Sequence, residues 1–269
     1  MELFIRKPKE TTEWINRFFI HPVSMHLVRF ILPTKITPNQ LSLLGLFHVL
    51  AGGYCLLRAT SSYFYFFLSF LFFSGRMVCD AGDGQLARFR NTSSERGTMI
   101  DGLCDYVSFA IIYGLVAYLY YPDFGPLIFL FIFLSGLSSA FQATSYQLYL
   151  DLYTYIKYQH FGAKLRLIVS GENNKLSYLL QCYNKAQLSF FNKNKLLLLL
   201  SEKYPINNKL KTQLTDMLPK WHLLAGNYRY FLLTLLINHI EWYFFIETIL
   251  LNITLFFLVK KYNQVLEVV

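Results

Sequence analysis

Six apolar runs, each close to the length needed to cross a bilayer, constrain this chain more than any other feature. They fall at roughly 40–57, 62–79, 99–120, 126–148, 223–239 and 242–259. About 20 residues at 1.5 Å of rise each cross a hydrocarbon core about 30 Å thick. In that medium every backbone N–H and C=O must find its partner within the segment, so such runs predict helices. Hydrophobic residues make up 54% of the chain and charged residues only 15%, well below the quarter or so carried by a soluble domain. The predicted fold is an all-α integral membrane protein of six transmembrane helices. An interfacial amphipathic segment (1–39) precedes them, and a helical cytoplasmic insertion (149–221) separates spans four and five. The first four spans occupy 40–148, and the last two with the C-terminal tail occupy 222–269.

The stretches between spans refine this plan. Trp14, Phe18, Phe19 and Ile20, then Met25, Leu27, Val28 and Phe30, alternate with polar and charged residues, as in helices lying on a membrane surface. Thr37 as a cap and Pro38 in the first turn open the first span. Tyr121 to Pro126 reads as a tight turn before the fourth. Residues 150–220 are rich in Lys and Asn, and their apolar runs, such as Leu196–Leu200, are far too short to cross. No internal repeat is evident, and Met1–Lys9 lacks the apolar core and cleavage site of a signal peptide.

The net charge of +9 belongs to the membrane rather than to nucleic acid, because the Lys and Arg lie between apolar runs and not on a soluble face. They cluster in the N-terminal segment, the 88–96 connection, the insertion and the C-terminus, whereas the opposite loops hold Arg58 and little else. The positive-inside rule makes the basic segments cytoplasmic, with both termini on that side. Cys55, Cys79, Cys104 and Cys182 have no zinc or redox spacing, and no disulfide framework is implied.

The chemistry is concentrated in Asp80-Ala81-Gly82-Asp83-Gly84-Gln85-Leu86-Ala87-Arg88, followed by Gly97, Asp101 and Asp105. Charges within a membrane bundle are costly and ask for a function. Asp80 and Asp83 are three residues apart, Asp101 and Asp105 four, so each pair shares one helix face. Two such faces brought together would repel unless a hard divalent cation, or a pair of them, sat between. Gly84 and Ala87 leave a notch one turn long, and Arg88 can fork onto phosphate. Gly97, one turn before Asp101, allows close helix approach. The plainer alternative, buried Asp–Arg pairing that only ties helices together, accounts poorly for four carboxylates spaced with small residues.

The pattern Asp-x-x-Asp-Gly-x-x-Ala-Arg, eight residues, Gly-x-x-x-Asp-x-x-x-Asp resembles, without a mismatch, the signature of the CDP-alcohol phosphatidyltransferases. Thr37-Pro38-Asn39 and Gly45 also look like that family's first span, whereas residues 150–220 are left unexplained. The resemblance implies a six-helix membrane enzyme, usually a homodimer, with a polar cavity facing the cytoplasm. It implies that Asp80, Asp83, Asp101 and Asp105 hold two Mg2+ or Mn2+ ions and that Asp105 is also the general base. Gly84, Ala87 and Arg88 correspond to part of the CDP site, and Ser94, beside Thr92 and Ser93, to a further phosphate or nucleotide contact. The reaction implied moves a substituted phosphate from a CDP-alcohol to an acceptor hydroxyl in phospholipid synthesis, with release of CMP. The donor is CDP-diacylglycerol or a CDP-linked small alcohol; the signature is common to both. The membrane is an inner or cell membrane or its equivalent.

Other residues carry less. The six histidines are scattered without ligand spacing, and Trp14, Trp221 and Trp242 read as interfacial anchors. Gln142, Thr144, Ser145, Tyr146 and Gln147 either hydrogen-bond between helices or line an acceptor pocket. Arg229 either snorkels to the interface or meets an anionic group on the acceptor. The stretch from Gln142 to Ile156 holds no basic residue, which points to an unphosphorylated acceptor alcohol. Two rival readings are a polyprenyl transferase, which would release diphosphate rather than CMP, and a non-enzymatic transporter with intramembrane carboxylates.

Overall fold

The computed structural model describes residues 9–59, 62–92, 94–158, 191 and 208–267. Most of the expected insertion, with Cys182, and the first eight residues lie outside them, as does Ser93. The described residues are almost wholly helical: α1 (His21–Ile31), α2 (Pro38–Ala59), α3 (Tyr63–Phe89), α4 (Glu95–Phe124), α5 (Leu127–Tyr158), α6 (Asn208–Trp221), α7 (Arg229–Leu235), α8 (Ile240–Phe245) and α9 (Leu251–Glu267). Among the described residues, five segments are long and apolar enough to cross a membrane: Pro38–Ala59, Tyr63–Phe89, Met99–Phe124, Leu127–Tyr158 and Ile237–Leu266. The protein is an integral membrane protein.

The helix ends follow local chemistry. Thr37 and Gln40 cap α2 reciprocally: the Gln40 N–H donates to Thr37 Oγ1 at 3.3 Å and the Thr37 N–H to Gln40 Oε1 at 2.8 Å. This capping box satisfies two otherwise orphaned donors, with Pro38 at the first helical position. α3 does not stop at Cys79 but continues as one helix to Phe89, so the motif from Asp80 to Arg88 occupies its last turns. Asn91, at φ 54°, turns the chain out of α3, a conformation Asn tolerates better than most residues. Ser94 restarts it by accepting the Gly97 N–H at 3.1 Å. The turn expected over 121–126 shrinks to its last residues. α4 carries Pro122 inside its final turns, and Gly125, at φ 55°, ends it.

The expected fifth span, 223–239, is not a continuous helix. It consists of single 3-10 turns at His222–Leu224, Gly226–Tyr228 and Ile237–His239 around the seven-residue α7. Seven residues rise only about 10 Å. The expected sixth span is present within Ile237–Leu266, where a π-helical turn at Ile246–Leu250 links α8 to α9.

The chain forms two compact units, Met1–Phe133 with Asn227–Phe244, and Leu134–Gly226 with Phe245–Val269. In the first, Val49, Leu56, Phe73, Ile112, Val116, Leu233 and Ile237 form one apolar core. A second cluster, Val28, Ile31, Leu41, Cys79 and Leu86, fastens α1 onto α2 and α3. Gln85 donates to Ser24 Oγ at 2.7 Å across that contact. Arg90 gathers the Ile36, Leu32 and Thr34 carbonyls, closing the end of α1 whose last C=O groups have no helical partner. Trp14, Phe18, Phe19 and Phe30 point outward.

In the second unit Tyr149 stacks on Trp221 at 4.4 Å and donates its hydroxyl to the Leu214 carbonyl at 2.6 Å. Gln142 donates to the Glu247 carbonyl at 2.9 Å and to Asn252 Oδ1 at 3.0 Å. Asn252 donates in turn to Ser138 Oγ at 2.9 Å, and Ser139 donates to the fully buried Glu247 carboxylate. Of the two readings of Gln142, hydrogen bonding between helices is the one observed.

Candidate active site

The last turns of α3 and the first turns of α4 bring the charged motif together within the first unit. Asp80, Asp101 and Asp105 each offer a carboxylate oxygen, and these oxygens lie within 4.8 Å of one another. Opposite ligands of an octahedral Mg2+ ion are about 4.2 Å apart, so the cluster is of the size that suits one. Asp101 Oδ1 is buried with no hydrogen-bond partner. An all-oxygen set with an orphaned buried acceptor suits a hard divalent cation.

Asp83 stands apart from this group. Its side chain is 6% exposed and accepts the Ser42 hydroxyl of α2 at 2.5 Å. Of the four carboxylates the motif singled out, three are therefore clustered and the fourth is tied to the neighbouring helix. The Gly84 notch is occupied along one side, since a Cβ built there would lie 3.3 Å from Arg88 Nη1. Arg88 itself is exposed and Ala87 half-buried. Ser94 is exposed, and its hydroxyl oxygen caps α4 by accepting the Gly97 N–H. Arg229, at the start of α7, is 5% exposed, so it is not a snorkelling residue.

One member of the cluster was not anticipated. Arg76, 2% exposed, lies one turn before Asp80. Its Nη1 donates to Asp80 Oδ1 at 3.0 Å and its Nη2 to Asp105 Oδ1. The signal was present, because Arg76 is the one charged residue in the apolar run 62–79. Gly45 makes room for it, since a Cβ there would sit 3.2 Å from both Cδ and Nη1 of Arg76. Tyr230 packs against Phe73 and Phe109 at 6.0 Å each and lies close enough to feel the charges of Arg76 and Asp105. Glu247 and Asn252, far along the sequence, were also missed; they serve the hydrogen bonds of the second unit.

A helical membrane protein with clustered carboxylates at the joint of two spans is the class these features define. Residues 35–190, more than half the chain, match the model of the CDP-alcohol phosphatidyltransferase family, and the protein belongs to that family. The match runs past the first four spans into the segment that the motif resemblance left unexplained. No curated protein matches the chain. Membership makes it a transferase of a phosphoryl-alcohol group from a CDP-alcohol, in a family that depends on divalent metal.

Proposed function

We propose that this protein is a divalent-metal-dependent phosphatidyltransferase that uses CDP-diacylglycerol, an unphosphorylated acceptor alcohol and Mg2+ or Mn2+, and releases CMP. The observation that carries the reading is the convergence of Asp80, Asp101 and Asp105. Asp80, Asp83, Asp101 and Asp105 would hold two ions, which would neutralise the diphosphate and make CMP a tolerable leaving group.

The chain's own residues do the rest. Gly84 and Ala87 let the donor approach α3, and Arg88 forks onto its phosphate. Asp105, whose side chain is 48% exposed, accepts the acceptor's proton as the acceptor oxygen bonds to the β-phosphorus. The bond from that phosphorus to the CMP oxygen breaks. Ser94 lies at the mouth as a further phosphate contact, and Arg229 meets the acceptor. The enzyme works as a homodimer, and the segment 14–31 lies in the membrane interface through its outward Trp14, Phe18, Phe19 and Phe30. The polypeptide crosses six times, the interrupted stretch 223–239 included, and the basic ends, with the site beside them, face the cytoplasm.

The test is purified protein with Mn2+ and a panel of CDP-diacylglycerol and CDP-linked small alcohols, read by CMP release and mass spectrometry of the lipid product. Metal-dependent CMP release with CDP-diacylglycerol and a free polyol or amino alcohol is the expected result. Turnover in excess chelator, or release of diphosphate in place of CMP, refutes the reading. Activity only with a CDP-linked small alcohol moves the protein to headgroup transfer onto a lipid hydroxyl.

A further inference from the structure

Arg76 has a place in the site that the carboxylate motif does not assign. A guanidinium buried in a membrane helix is retained only where it is paired. Here it reaches two carboxylates on two helices: Asp80 on its own, one turn on, and Asp105 on α4. The fork is tightly seated, because Gly45 leaves no spare room beside Cδ and Nη1. Both acids keep their outer sides open, with side chains 42% and 48% exposed. The arginine therefore closes the buried floor of the cluster and leaves its open side to a ligand.

Two consequences pull in opposite directions. The fork fixes the distance and orientation of Asp105 relative to Asp80 before anything binds, which suits a group that must meet a hydroxyl within hydrogen-bond reach. The same positive charge repels an incoming cation and occupies an oxygen of each acid. We propose that Arg76 is a positioning residue that orients Asp105 for proton transfer and, as a built-in cation, holds down the site's affinity for divalent metal. This rests on the proposed metal-dependent reading of the same site.

The experiment measures Mn2+ binding by electron paramagnetic resonance, alongside kcat, in wild type, Arg76→Gln and Arg76→Lys. Gln removes the charge and the fork: Mn2+ should bind about tenfold tighter while kcat falls about 10–100-fold. Lys keeps the charge but cannot fork onto both acids: kcat should fall by a similar factor with Mn2+ affinity unchanged. A merely structural role would weaken metal binding and activity together. Unchanged or weaker Mn2+ binding in the Gln variant, or wild-type kcat in either variant, overturns the proposal. Should the Gln variant not survive purification, the Lys variant decides through its kcat and its Mn2+ affinity. A wild-type protein that binds no Mn2+ overturns the metal reading itself, and that failure shows before any variant is compared.

Discussion

Ser42→Ala tests how the one carboxylate outside the cluster is held. Ser42 and Asp83 are both buried, at 3% and 6% exposure, and the hydroxyl donates to the carboxylate at 2.5 Å. Alanine removes that donor and leaves Asp83 with the backbone N–H of Gly84. A hydrogen bond to a charged group contributes about 1.5–3 kcal/mol, and an abandoned buried acceptor keeps its desolvation cost. For a chain of this size each kcal/mol moves Tm by about 2–4 °C, so a fall of about 3–12 °C is expected. Cys55, Cys79 and Cys104 are free and buried, which makes reaction with a fluorogenic maleimide in detergent a direct readout of unfolding. The measurement is made with chelator, so that no ion takes over from the serine; adding Mn2+ should then narrow the gap. A shift below about 1 °C under chelator would refute the argument, because it would mean that the contact contributes well under 1 kcal/mol.

Asp105→Asn keeps size and polarity but cannot accept a proton; transfer should be abolished with donor binding largely intact, and activity within a few-fold of wild type would remove Asp105 as the base. Arg88→Ala should weaken donor binding by about 1.5–3 kcal/mol, seen as a rise in KM for the CDP-alcohol. Gly52→Ala would place a Cβ 2.9 Å from the ring of the fully buried Phe73, an overpacking worth about 1–3 kcal/mol, read as a lower Tm at unchanged KM. Burial holds the His222 imidazole below its ordinary pKa. The unfolded chain then binds the extra proton first, so stability is full above about pH 6.5 and falls as pH drops toward the folded value. His222→Phe should flatten that acid limb.

The spans and the site were legible to different degrees, for physical reasons. Long apolar runs announce themselves because hydrocarbon tolerates few alternatives, and α2 to α5 lie where the runs predicted. The cap at Thr37 was equally local and equally readable. The stretch 223–239 was apolar enough to look like a span, yet backbone geometry at Gly226 to Tyr228 and at Leu236 breaks it into turns, which hydropathy cannot register. Helical spacing placed Asp80 with Asp83 and Asp101 with Asp105 and had the two faces meeting across helices, but it put all four carboxylates around one point, and one of them lies elsewhere. Asp80 sits with Asp101 and Asp105 while Asp83 goes to Ser42. Sharing a face is a property of one helix; choosing a partner depends on the neighbouring helix, and α2 is far away in sequence. Arg76 escaped for a different reason. It lies one turn before Asp80 and outside the motif, and a lone Arg in an apolar run has no spacing that names its partners on another helix.

The clasp of Arg90 on the end of α1, with Gln85 on Ser24, has a mechanical consequence. α1 is bolted to the same helix that carries Asp80 and Asp83, at both its middle and its end. Were the outward aromatics of the segment 14–31 sunk in the headgroup layer, that segment would act as a float, and α3 would hang from it at fixed draught. The carboxylates would then keep a set depth below the lipid surface as the bilayer thickened or thinned.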